Sequence, residues 1–124
     1  CLRCVTACSK DKENRDAIRE EGGIPTLIGF LASSDETTLA NTALCLGECA
    51  WSAANIPFIK PAARALIEIL KNRSSDISAQ NAAICLARIA KDVDTLQLLR
   101  DNQAIEIMHH VLGDMQRRKD KSVK

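Results

Sequence analysis

The sequence predicts an all-α chain made of repeated helical units, and three observations predict it. The phrase "NTALCLGECA" (41–50) returns as "NAAICLARIA" (81–90), forty residues later and without a gap. The phrases before it recur as well: "TLIGFL" (26–31), "ALIEIL" (65–70) and "IEIMHHVL" (105–112) end on the matching residues Leu31, Leu70 and Leu112. The period of about 39–44 residues is that of helical units that stack into a solenoid. Finally, aromatics are reduced to Trp51, Phe30 and Phe58 in a chain of 124 residues, so the core must be built from Leu, Ile, Ala and Cys. Small side chains of this kind let helix axes approach closely.

Each element can be justified in chain order. "CLRCVT" (1–6) lies on "CLGECA" and "CLARIA", which makes Cys1, Cys45 and Cys85 one position written three times. Residues 1–13 therefore read as the end of a preceding repeat, followed by repeats over 14–53 and 54–93 and a partial one over 94–124. "NRDAIREE" (14–21) is a short amphipathic helix, with Ala17 and Ile18 expected inside and its charges outside. Gly22–Gly23 stops it, because glycine adopts the left-handed conformation that ends a helix. Pro25 suits the first turn of the next helix, where its missing N–H is not needed. "PTLIGFLA" (25–32) is nearly all apolar and so belongs to the core, "SSDET" (33–37) offers Ser or Asp as an N-cap, and a third helix is expected from about Thr37 to Ala53.

In the second repeat "NIPFIK" and Pro61 replace the long first helix. Prolines four residues apart (57 and 61) predict a single turn or irregular structure. The third repeat keeps the two-helix rhythm in "DTLQLLRDNQAIEIM", with Asp101–Asn102 at the turn. "DKSV" (120–123) lies on "DISA" (76–79), which predicts a loop over the basic run "QRRKDKSVK" (116–124) before another third helix. Both ends would then fall within third helices, and the array is expected to continue on either side.

The stretch "NRDAIREEGGIPTLIGFLASSDETTLANTALCLGECA" resembles the armadillo repeat along its whole length. The shared features are an Asn-started first helix, a Gly-Gly-Ile-Pro turn, a Leu-rich second helix, a Ser/Asp loop and an Ala-rich third helix. The resemblance extends over essentially the entire chain, and is weaker in the two later units. HEAT repeats, with two helices per unit and no such turn, fit less well. The resemblance implies a right-handed superhelix of three-helix repeats.

Little in the sequence points to chemistry. Seventeen Lys and Arg against sixteen Asp and Glu leave a formal charge of +1, and the two signs are interspersed, so nothing favours nucleic acid or a membrane surface. No apolar run approaches the roughly 20 residues of a membrane span. Cys1, Cys4 and Cys8 share one helix face, as do Cys45 and Cys49. Such spacing suits zinc or iron–sulfur ligation, but the register-mates of Cys1 have no such cluster around them and no second half-site is evident. The six cysteines read as reduced packing residues of a cytoplasmic chain, with nuclear, cytoskeletal and ciliary settings as the other possibilities.

His109 and His110 have no nucleophile or carboxylate at a useful spacing, and one of them is expected to face the core. There is no phosphate-binding glycine loop. The expectation is therefore no catalytic residue, no metal, no cofactor and no small-molecule substrate.

The resemblance implies one functional surface. In armadillo arrays the third helices line a concave groove that takes extended peptides or partner helices. In importin-α-like arrays that groove carries a ladder of Trp and Asn. Here the Trp position holds Leu44 and Ile84, while the Asn position holds Cys4, Glu48 and Arg88, so that ladder is absent. The groove residues expected to meet a protein partner are Asn41, Leu44, Glu48, Trp51, Asn81, Ile84 and Arg88. Glu48 and Arg88 could span the roughly 10 Å between neighbouring third helices; an exposed pair of this sort contributes only about 0–1 kcal/mol. The function expected is protein–protein binding or scaffolding. The alternatives are an architectural spacer that contacts only neighbouring repeats, and a cysteine-based metal or redox module.

Overall fold

The computed structural model of the chain describes residues 12–72 and 76–122, and of residues 12, 76 and 114–122 the backbone alone. The Cys1, Cys4 and Cys8 expectations fall outside the described residues. Among those residues every regular element is helical.

Helix α1 (Lys12–Glu20) ends at Gly22, whose φ of 75° is left-handed. Helix α2 (Gly23–Phe30) starts at once. Gly23 is needed for closeness as well as for the turn, since a Cβ there would stand 2.9 Å from Ile18 Cγ2 and 3.0 Å from the Ile18 carbonyl oxygen. Helix α3 (Glu36–Cys49) is capped by Asp35, which accepts hydrogen bonds from the Thr38 N–H (2.9 Å) and hydroxyl (2.8 Å). These two bonds, the hydroxyl's first, lower the Asp35 pKa.

Prolines break up the segment after α3. Residues 53–62 form two 3-10 turns around a single α turn, α4 (Ile56–Ile59). Helices α5 (Ala63–Asn72) and α6 (Asp76–Ile89) then repeat the pattern of α2 and α3. Helix α7 (Val93–Asp101) is capped by Asp92 and ends at Asn102. Gln103 occupies the left-handed region with φ 56°, in the place that Gly22 takes in the first repeat. Helix α8 (Ala104–Ser122) completes the described chain.

Helices α3 and α6 share the most extensive packing in the molecule, followed by α5 with α6. Between these layers lies one continuous aliphatic core, in which Leu46, Leu66, Leu70, Leu86 and Ile89 are fully buried. Burying each such side chain stabilises by about 1.5–3 kcal/mol. The small residues Ala43, Cys45, Ala82 and Cys85, also fully buried, keep α3 and α6 close.

Three local expectations need correction. Ala17 is exposed, and the side chains of α1 turned toward the next segment are Arg15 and Arg19. The reason is that residues 52–55 present polar groups that need donors. His109 and His110 are both exposed, because α8 meets the core through Ala104, Met108 and Val111. The basic run is not a loop: α8 continues unbroken to Ser122. Gln, Arg, Lys and Met are good helix formers, and the single Gly113 does not interrupt them.

Candidate functional site

The third helices α3 and α6 present a face turned away from α2 and α5. Asn41, Leu44, Asn81 and Ile84 are half-buried there. At the C-terminal end of the face stands Trp51, 59% exposed. Trp51 comes directly after α3, and its N–H donates to the Glu48 carbonyl.

Arg88 of α6 ties this end together. Its guanidinium lies 4.1 Å from the centroid of the Trp51 ring, within the range of a cation–π contact. Its Nη1 donates to the Gly47 carbonyl at 2.6 Å and stands 3.8 Å from Glu48 Oε1. Gly47 is in the last turn of α3, where helix carbonyls lack partners within the helix. Arg88 therefore caps the neighbouring repeat's helix and brings a positive charge to its negative end. The structure thus joins Glu48, Trp51 and Arg88 into one cluster, in which Arg88 does more than form an ion pair.

Asn81 also reaches across to α3, its Nδ2 donating to the Ala40 carbonyl in the helix interior at 2.9 Å. Its amide is directed into the contact between third helices. The carbonyls of Ala40 and Gly47 were not visible as partners in the sequence. The signal that could have found them is the repeat offset, since each bond joins residues 41 apart, one more than the repeat of the phrase. Sequence reasoning also passed over Ile77, 63% exposed at the start of α6, and Lys91, exposed just after its end. Lys91 takes in α6 the register that Trp51 takes in α3.

A second polar cluster joins α1 to the turn after α3. The fully buried Asn55 accepts from Arg19 Nη1 at 2.9 Å and donates through Nδ2 to the carbonyls of Cys49 (2.9 Å) and Arg15 (3.4 Å). Arg15 Nε donates to Ser52 Oγ at 3.1 Å. Asn55 therefore satisfies another terminal carbonyl of α3. On the α7 side, Lys60 Nζ reaches Asp94 (2.6 Å) and Asp92 (3.4 Å), and the bond to Asp94 is the main reason its pKa is raised. An open pocket of about 370 Å³ lies beside this pair, lined in part by Pro57, Pro61, Arg64 and Leu98.

Cys45, Cys49 and Cys85 are fully buried. Burial pushes the Cys85 thiol up to about 12, and a hydrogen bond with Cys45, followed by burial, pushes Cys49 up as well. Metal binding and nucleophilic attack both need the thiolate, which this setting disfavours. No group of three or more His, Cys, Asp or Glu among the described residues is placed to hold a metal ion. Among the same residues, no helix is long and apolar enough to cross a membrane.

Residues 11–51 match the family model of the armadillo/β-catenin-like repeat. Among curated proteins, the chain is similar to outer dynein arm-docking complex subunit 2 of Bos taurus, with 31% identity over 110 residues. That alignment covers 87% of the chain but only 10% of the relative, so the chain spans about a tenth of that relative's length. No solved structure matches.

Proposed function

We propose, for a chain that carries an armadillo repeat over residues 11–51 within an all-helical solenoid, a protein-interaction module that holds a partner segment on the face of α3 and α6. The observation that carries this reading is the exposed Trp51, held against Arg88 just after a helix that also carries the half-buried Leu44, with Ile84 at the matching place on α6. Exposed aromatics next to apolar side chains favour association, and Trp and Arg are enriched among the residues that dominate binding energies. The bovine relative is named for a docking complex, which supports a scaffolding task with protein partners rather than catalysis. On this reading the chain acts in the cytoplasm, in an assembly of the docking type, and uses no cofactor.

A second reading, architectural spacing, is favoured by a different observation. Asn81 and Arg88 both donate to backbone carbonyls of α3, so part of the face already serves stacking. Site-specific photocrosslinking separates the two. A benzophenone side chain placed at Leu44 should capture a defined partner in cell extract, whereas one at the exposed Glu68 on α5 should not. Equal capture from both positions, or capture from Glu68 alone, would favour the architectural reading.

A further inference from the structure

We infer that the open pocket beside α4 is a second binding site, separate from the third-helix face, for a compact aliphatic group that carries a carboxylate. No residue lining it comes from α3 or α6, so the inference does not rest on the binding role proposed above.

The pocket belongs to the stretch where prolines break the repeat. Helix α4 has four residues, whereas the first helices of the neighbouring repeats, α1 and α7, have nine each. Beside this shortened element about 370 Å³ stays open, bordered by the start of α5 and by α7. Such a volume falls within the range of small-ligand sites. Its apolar walls include the exposed Pro57 and Pro61 and the half-buried Leu98. Proline loses no side-chain rotamer freedom on contact, so these walls are ordered before a ligand arrives.

Three charged side chains line the pocket: Lys60, Arg64 and Asp94. Two of them are engaged with each other, since Lys60 Nζ lies 2.6 Å from Asp94 Oδ2 and also 3.4 Å from Asp92. Asp92 is occupied further by the N–H and hydroxyl of Thr95. Arg64 is exposed and makes no hydrogen bond or ion pair with another described residue. Its guanidinium is thus the lining charge left without a counter-charge. A cationic ligand would have to compete with Lys60 for Asp94, and would meet Arg64 as a like charge. A carboxylate can accept the planar donors of Arg64 in paired hydrogen bonds and displaces nothing. Its aliphatic part then rests on Pro57, Pro61 and Leu98.

Isocaproate, its neutral amide and isohexylamine share one aliphatic skeleton and differ in the head group. Each is titrated against the whole chain and followed by NMR at the Arg64 Nε–H and the Leu98 methyls. Isocaproate should shift both signals in a saturable way at roughly millimolar concentration, and should bind more tightly than the amide or the amine. Arg64→Gln keeps a good helix former and should weaken isocaproate by about tenfold, read at the Leu98 methyls. Lys71→Gln, the same loss of charge at the other end of α5, should leave it unchanged. Asp94→Asn frees Lys60 from its nearer partner and should tighten the acid by about twofold. An N-acetylated dipeptide that ends in a free leucine carboxylate distinguishes the sources of the group: tighter binding than isocaproate assigns the pocket to a chain terminus, weaker binding to a free acid.

Tighter binding of the amine, or equal binding of acid and amide, would overturn the carboxylate. An isocaproate affinity that Arg64→Gln leaves intact, or that falls equally in Lys71→Gln, would overturn the role of Arg64 and with it the inferred ligand class. Leu98 methyls that none of the probes moves would overturn the site itself. Each of these outcomes leaves the face of α3 and α6 standing.

Discussion

Helices α3 and α6 grow from nearly the same phrase, yet they end differently. Three of the positions they share are fully buried: Ala43 with Ala83, Cys45 with Cys85, and Leu46 with Leu86. They part at two buried positions of the phrase, Thr42 with Ala82 and Cys49 with Ile89, and they part in charge at the helix ends. Glu48 is answered by Arg88, and the exposed Trp51 by the exposed Lys91. Packing between repeats constrains volume and shape, and so keeps those three inner positions alike. The open face carries no such demand and is free to take on a charge pattern of its own. The bonds between the helices also run one way, since α6 supplies the side-chain donors Asn81 and Arg88 while α3 supplies the carbonyls.

The equivalence of the inner positions can be tested where the effect is largest. Leu46→Ala and Leu86→Ala each remove a fully buried side chain and should each lower stability by about 2–5 kcal/mol, as read from urea denaturation. A loss at one position but not at the other would break the equivalence.

The difference at the helix ends gives the next largest effect. Arg88→Ala removes the donor to Gly47 and the contact with Trp51 and should destabilise by about 1–2 kcal/mol. Glu48→Ala should change stability by only about 0–1 kcal/mol. Charge counting alone would make the double exchange Glu48→Arg with Arg88→Glu nearly neutral, but Glu at 88 cannot donate to a carbonyl. The double variant should therefore melt lower than the native chain.

The buried thiols give an alkaline signature. A folded-state pKa raised from 9.0 to about 12 at Cys85 means that the unfolded chain loses this proton first. The contribution is fully present below pH 9.0 and is lost as pH rises toward about 12. Denaturation midpoints should fall across that range, and the fall should be shallower in Cys85→Ala. The same burial predicts slow labelling of Cys45 and Cys85 by a thiol reagent until the chain unfolds.

The smallest effect concerns Thr42, whose fully buried hydroxyl has no hydrogen-bond partner, whereas its register-mate in α6 is Ala82. Thr42→Val keeps the shape and removes the unpaired group. It should stabilise by roughly 0.5–1 kcal/mol, seen as a small rise in melting temperature.

How much of this was legible in the sequence depended on the reach of each signal. The repeated phrase located α3 and α6 because like patterns bury like faces. Gly22 and Asp35 were readable because turn and cap chemistry is local. The role of Arg88 was not readable, since the Gly47 carbonyl is a backbone atom 41 residues away and no residue type announces it. The inward turn of Arg15 and Arg19 was hidden for a similar reason: charged residues read as outward until the polar segment around Asn55 is in place. The reach of α8 was missed because polarity was read as loop, although a polar segment of good helix formers stays helical.

The cap that Arg88 places on α3 also gives the array a time order. During synthesis α3 leaves the ribosome before α6, and so before the residue that completes its end. Until then the Gly47 carbonyl must be served by water, and the last turn of α3 frays more readily. The earlier repeat is thus finished by the later one, and a truncation just after Ala53 would loosen a helix whose own sequence it leaves untouched. In an array with nearest-neighbour coupling, this transmits stability backward along the chain, from each newly made repeat to the one before it.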